Sequence, residues 1–144
     1  MDKQYSLVIF DADGTLTPLR DGATGAFAFT LLPGVAEKCA ALRADDVIMC
    51  IASNQSARRP VREVIEQLEW TKRQIGARHY DVQTNQNYQK PHPDMILGDV
   101  DWFGARFEDV LFVGDRETDR QAAEAAGVDF AWAADFFGWE AINA

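Results

Sequence analysis

Several short polar groups in this chain each close an apolar run. Asp11-Ala12-Asp13-Gly14-Thr15 follows Leu7-Val8-Ile9-Phe10, and Ser53-Asn54-Gln55 follows the run from Val47 to Ala52. Gly114-Asp115 follows Val110-Leu111-Phe112-Val113, with Asp119 further on, and Lys90 stands before Pro91. Brought together, Asp11, Asp13, Asp115 and Asp119 would crowd one volume with the Ser53 hydroxyl and the Lys90 ammonium. Two carboxylates ~4 Å apart repel by about 4 kcal/mol at an effective dielectric of roughly 20. A hard divalent cation removes that repulsion, and oxygen donors with few His or Cys point to Mg2+ rather than Zn2+. Mg2+ commonly bridges carboxylates to a phosphate. A carboxylate can then act as a covalent nucleophile, with the cation and Lys90 screening the charge of a phosphate dianion. A second carboxylate two residues on can protonate the leaving oxygen and then activate water. Ser53 and nearby backbone N–H groups can hold the phosphoryl oxygens.

These groups act together only if the elements carrying them converge. The apolar runs Leu7–Phe10, Val47–Ala52 and Val110–Val113 fit strands covered on both faces, as in a parallel sheet. Tyr80 to Thr84 and Asp129 to Ala133 read as further strands. Pro33 opens a helix to Arg43 that sets Val35, Cys39 and Leu42 on one face. Pro60 opens another, predicted to place Val61, Val64, Ile65 and Leu68 on a shared face and to stop at Gly76. Asp94 to Asp101 and Glu117 to Ala126 read as helices, the latter ended by Gly127. The alternation predicts an open α/β sheet with crossover helices. Ligands of such sheets sit beyond the carboxyl ends of the strands. The irregular stretch from Asp13 to Leu32 is predicted to be a flap beside that site.

The length of 144 residues predicts a single domain over 1–144. Fourteen basic and 23 acidic residues give a formal net charge of -9, which argues against strong binding to duplex nucleic acid. No apolar run reaches the roughly 18 residues that span a bilayer, and the run before Asp11 is too short for a signal-peptide core. Cys39 and Cys50 suit neither a disulfide framework nor a zinc site. They are expected to be buried in a reducing, cytoplasmic setting. Arg58-Arg59 reads as a solvated helix start, with anion binding as the alternative. His92 reads as a partly exposed loop residue, and His79 is less informative still. The aromatics Phe130, Trp132, Phe136, Phe137 and Trp139 are expected to fill core. An oligomer contact or a wall for a base or sugar is the alternative.

In their order, the motifs resemble those of the haloacid dehalogenase superfamily of phosphohydrolases. Asp11-Ala12-Asp13-Gly14-Thr15 is similar to its first motif, Ser53 to its second and Lys90-Pro91 to its third. Gly114-Asp115-Arg116-Glu117-Thr118-Asp119 is similar to its fourth. The resemblance implies a Rossmann-like domain, a parallel sheet flanked by helices on both faces, and a Mg2+-dependent phosphomonoesterase. It implies that Asp11 forms an aspartyl-phosphate, and that Asp13 is the acid/base and gives its backbone carbonyl to Mg2+. Ser53, Asn54 and Lys90 are the implied phosphate-binding residues, and Lys90 also orients Asp11. Asp11, Asp13, Asp115 and Asp119 are the implied metal set, with Arg116 a further site candidate.

Caps in this superfamily are inserted after the first motif or between the second and third. Neither interval has room here, so a capless member is expected. Ser53-Asn54-Gln55-Ser56 and the Lys90-Pro91 pair also resemble the heptose-bisphosphate, histidinol-phosphate and polynucleotide 3'-phosphatase group. The zinc loop of the first two is missing between Tyr80 and Lys90. The expected substrate is a phosphorylated small molecule or a 3'-phosphorylated nucleic-acid end, at an open site that a neighbouring chain could cover. The alternatives are a phosphotransferase on the same scaffold and a binding module without turnover. A receiver-type phosphoacceptor is disfavoured, because its lysine comes last, whereas Lys90 precedes Asp115.

Overall fold

The first strand, β1 (Leu7–Phe10), is apolar at every position because both of its faces are covered. Val8 and Phe10 join one buried cluster, and Leu7 and Ile9 join the other, as the two-residue period of a strand requires. The computed structural model describes residues 3–139; the expected domain limits at 1 and 144 lie outside them. After β1 come α1 (Val35–Ala44), β2 (Ile48–Asn54), α2 (Val61–Ile75) and β3 (His79–Gln83). Then follow α3 (Asp94–Phe103), β4 (Val110–Gly114), α4 (Glu117–Ala126), β5 (Asp129–Trp132) and α5 (Ala133–Phe137).

Among the described residues the strands form one sheet in the order β3-β2-β1-β4-β5, and every pairing is parallel. The expected open α/β sheet is therefore the fold. Helices α1, α2 and α5 cover one face, and α3 and α4 the other. Cys39 and Cys50 are both free and buried. No helix of the described residues is long and apolar enough to cross a membrane.

The expected face of α2 is corrected. Val61 and Ile65 are 72% and 46% exposed, and the buried residues are Val64, Gln67, Leu68, Thr71 and Ile75. Two polar side chains can occupy this inward stripe because each has a partner there. Gln67 donates to Asp13, and Thr71 Oγ1 donates to the Gln67 carbonyl. Helix α5 was not anticipated. It lays Phe137 parallel to Phe10 at 6.0 Å and Phe136 edge-on to the same ring at 5.9 Å. The core reading holds for Phe137, which is 8% exposed, but Trp132 is 37% exposed beside Phe130.

The order β3-β2-β1-β4-β5 makes β1 central. The chain leaves β1 toward β2 and β3, then returns to the other side of β1 as β4. The crevice at that reversal is where an open α/β sheet takes a ligand. The carboxyl end of β1 carries Asp11, flanked by Ser53-Asn54 on β2 and by Gly114-Asp115 at the end of β4.

Candidate active site

Asp11 follows β1 directly, and its backbone N–H is still held by the Val113 carbonyl at 2.9 Å. The chain then turns tightly: Thr15 and Leu16 N–H donate to the Ala12 carbonyl at 3.1 and 2.9 Å. Gly14 sits in that turn with φ +82°, and a Cβ there would collide with the Asp115 carboxylate. Only glycine meets both demands without strain. The turn also brings the Thr15 hydroxyl to Asp115 Oδ1 at 3.1 Å.

Lys90 reaches the same point from the loop between β3 and α3. Its ammonium is 2.8 Å from Asp11 Oδ1, 2.7 Å from Asp119 Oδ1 and 2.9 Å from the Ala52 carbonyl. It donates hydrogen bonds to Asp11 and the Ala52 carbonyl and forms an ion pair with Asp119. Burial alone would lower the Lys90 pKa, but the Asp11 and Asp119 charges outweigh that and raise it. Burial pushes the Asp11 carboxyl up to about 6, against the pull of Lys90 and with the help of Asp115. Burial and Asp11 likewise hold Asp119 above the usual carboxylate range, against Lys90.

Asp119 has a second engagement. Its Oδ2 accepts the backbone N–H groups of Asp115 and Arg116, each at 3.1 Å. It therefore caps the first turn of α4 and partners Lys90 with the same carboxylate. Gly114 makes room for this, since a Cβ at that position would meet the Asp119 side chain.

The Asp13 carboxylate turns away from Lys90. Gln67 Nε2 donates to its Oδ1 at 2.8 Å and Gln55 Nε2 to its Oδ2 at 3.0 Å. Arg59 donates to the side-chain carbonyls of both glutamines at 2.7 Å. Arg59 is thus more than a plain solvated helix start. It orients the amides that hold Asp13.

The sequence singled out Ser53 and Asn54 as phosphate binders, and the geometry gives both other engagements. Ser53 is 1% exposed and its hydroxyl accepts from Gln55 Nε2 at 2.8 Å. Asn54 clamps the Lys90 backbone from both sides, donating to its carbonyl at 3.1 Å and accepting its N–H at 3.0 Å. Gln89 adds a further tie, donating to the Gln55 and Gln83 carbonyls at 2.9 Å. The lysine-bearing loop is therefore pinned to the ends of β2 and β3.

A cleft of about 480 Å³ opens over this constellation, lined by Asp11, Asp13, Asn54, Lys90, Asp119 and Arg116 and by Arg20 and Asp21 of the expected flap. A neighbouring cleft of about 440 Å³ shares Asn54 and Arg116 and reaches Arg58. Asp11, Asp115 and Asp119 each offer an oxygen within 4.8 Å of the others. This hard, all-oxygen set, in which burial and then Asp115 raise Asp11, suits a divalent cation such as Mg2+. His92 lies apart, its ring edge-on to Tyr88.

Sequence reading missed the parts played by Thr15, Gln55, Arg59 and Gln67. For Gln67 there is a legible signal: an amide at the inward spacing of Val64, Leu68 and Thr71 must find a partner inside. For Arg59 there is none, because its contacts to Gln55 and Gln67 arise only where the end of β2 meets α2.

Comparison with known proteins agrees with this arrangement. A family model described as haloacid dehalogenase-like hydrolase matches residues 25–133, a span that holds Ser53, Lys90, Asp115 and Asp119. The chain is 34% identical over 99 residues to phosphoglycolate phosphatase of Escherichia coli (strain K12), covering 67% of this chain and 37% of that protein. It thus spans little more than a third of the length of the curated relatives it matches. Among solved structures, D,D-heptose 1.7-bisphosphate phosphatase from B. bronchiseptica, complexed with magnesium and phosphate, has a similar fold. Its TM-score is 0.74 at 24% identity, over 87% of this chain and 78% of that one. The cobalt-bound deoxy-D-mannose-octulosonate 8-phosphate phosphatase from Haemophilus influenzae gives 0.62 at 20% identity, over 89% and 68%. With the ordered motifs, the strand order and the family match in agreement, the chain belongs to the haloacid dehalogenase-like hydrolases.

Proposed function

We propose that this chain is a Mg2+-dependent phosphomonoesterase that acts on a small phosphorylated molecule through a phosphorylated Asp11. The observation that carries this reading is the shared ammonium: Lys90 sits 2.8 Å from Asp11 and 2.7 Å from Asp119, all three buried at the mouth of the cleft. A carboxylate held this way is oriented by its cation while its other oxygen remains available. Asp11, Asp115 and the backbone carbonyl of Asp13 would hold Mg2+, with Asp119 nearby. Bound there, Mg2+ would offset the repulsion between the carboxylates and a phosphate dianion.

In this reading an Asp11 oxygen attacks phosphorus, and the bond to the substrate oxygen breaks. The departing oxygen takes a proton from Asp13. Asp13 then removes a proton from water, which attacks the phosphorus of the phosphorylated Asp11 and restores the free carboxylate. Gln55 and Gln67 fix the direction of Asp13 for both transfers. Asn54 acts by holding the Lys90 loop rather than by touching phosphate.

The cleft size and the position of Arg20 and Arg116 favour a small anionic substrate, as do the names of the relatives. The net charge of -9 weighs against a nucleic-acid end. The interval between Asp13 and Ser53 holds a loop and α1, and that between Ser53 and Lys90 holds α2 and β3. On this reading the protein is capless, and the loop bearing Arg20 takes over substrate selection. The test is phosphate release from a panel of sugar phosphates, phosphorylated hydroxy acids, nucleotides and 3'-phosphorylated oligonucleotides, with Mg2+ or EDTA. Release from a small-molecule class, dependent on Mg2+ and lost in Asp11→Asn, is expected. Full turnover by Asp11→Asn in a clean preparation overturns the assignment of the nucleophile.

A further inference from the structure

A second group of potential ligands lies on the α3 side of the sheet, outside both clefts. β3 is an edge strand, and His79 and Asp81 are two residues apart on it, so both project from one face. That face is the one covered by α3, which carries Asp99. His79 Nε2 is 2.7 Å from Asp81 Oδ1 and 4.0 Å from Asp99 Oδ1. One ligand atom from each of the three lies within 4.8 Å of the others.

The environment of these carboxylates is unusual. The Asp99 side chain is 2% exposed. Its Oδ2 and the Oδ2 of Asp81 are buried with no hydrogen-bond partner. Among the described residues no lysine or arginine pairs with either, and His79 is the sole cationic candidate. A buried carboxylate oxygen without a donor is costly, and two facing each other add repulsion. Burial first, then a hydrogen bond and the charge of Asp81, push the Asp99 carboxyl up to about 9, so a cation here would take the place of a proton shared with Asp81. None of these residues has a part in the phosphatase reading.

We propose that His79, Asp81 and Asp99 form a second metal site, for a divalent cation of the Zn2+ type, that fastens edge strand β3 to α3. A cation would supply the missing partner to both orphaned oxygens. An imidazole nitrogen with two carboxylates is a donor set that suits Zn2+, which binds such sites more tightly than Mn2+ or Fe2+. The cluster beside Asp11 is all oxygen and suits Mg2+, so the two sites differ in preference. His79, at 44% exposure, leaves the group open to entry from solvent. The consequence is local. β3 and α3 bracket the loop that delivers Lys90, and a cation joining them ties the two ends of that loop.

The test uses the full chain, stripped with EDTA and returned to millimolar Mg2+, then titrated with Zn2+. Bound Zn2+ is counted by equilibrium dialysis, and the unfolding midpoint is followed by circular dichroism. In the wild type, Zn2+ at a hundredfold excess over its Kd is expected to raise the midpoint by about 5–10 °C. Asp115→Asn should keep that rise. His79→Ala, at a half-exposed position, should lose both the rise and the bound Zn2+, as should Asp99→Asn. No Zn2+-dependent rise in the wild type overturns the proposal. So does an equal rise in His79→Ala, or loss of the rise in Asp115→Asn alone.

Discussion

Lys90 and Asp119 meet at 2.7 Å with both side chains 2% exposed, and the same ammonium reaches Asp11 at 2.8 Å. One buried cation therefore serves two buried carboxylates, drawn from a loop, the end of β1 and the start of α4. Removing it leaves both buried carboxylates without that counter-charge at the mouth of the cleft. Lys90→Met is expected to destabilise the metal-free protein by about 3–5 kcal/mol, read from urea unfolding in EDTA. Asp119→Asn should cost less, because Asp11 still faces the ammonium. A loss below about 1 kcal/mol in Lys90→Met would show that water reaches the pair.

Asp13 is held by amides rather than by charge. Gln67→Leu keeps the helix and its burial but removes one donor to Asp13 and one acceptor for Arg59. The expected result is a fall in kcat of about tenfold to a hundredfold, the cost of a misdirected catalytic group, with KM little changed. Steady-state kinetics separate the two. A change confined to KM would place Gln67 in substrate binding instead.

The raised Asp11 sets a pH dependence for cation binding. A ligand carboxylate must be ionised, so protons compete with the metal. With the Asp11 pKa at about 6, the Asp11 site is already ionised at pH 8 and protonated at pH 5. Mg2+ affinity should therefore be flat above about pH 7 and fall about tenfold per unit below 6. Isothermal titration across that range checks it. An affinity unchanged down to pH 4.5 would remove Asp11 from the ligand set.

Gly14 is demanding on two counts, its φ of +82° and the Asp115 carboxylate where a Cβ would lie. Gly14→Ala should lower stability by about 1–2 kcal/mol and weaken Mg2+ binding by displacing Asp115. Gly22→Ala, in the same loop with open space around it, should change neither. Thermal unfolding and Mg2+ titration of the pair distinguish a local steric demand from general intolerance of the loop.

Much of the fold was legible because burial leaves a plain trace. Strands covered on both faces had to be apolar throughout, so β1, β2 and β4 stood out, and each polar residue ending them marked a carboxyl edge. α4 could be bounded from Glu117 to Gly127 because its start and stop signals are local. α2 was bounded equally well, and Val64 and Leu68 are buried as expected, yet half of its expected face is exposed. Val61 and Ile65 look like core by composition, while Gln67 and Thr71 became core because partners waited for them inside.

Residue types and spacing alone marked out a candidate chemical cast: Asp11, Asp13, Lys90, Asp115 and Asp119, of which Asp11 and Asp115 close the runs of β1 and β4 while Lys90 lies in a loop and Asp119 in the first turn of α4. They did so because residue type and strand termination are properties of short segments. The tertiary structure alone decided how those groups are engaged. It turned Asn54 onto the Lys90 backbone, buried Ser53 behind Gln55, set Arg59 behind Asp13 and left His79, Asp81 and Asp99 facing one another. The decisive contacts, Asn54 with Lys90, Gln67 with Asp13 and Asp99 with His79, join separate elements, and their geometry depends on how the helices settle on the sheet, which no local pattern encodes.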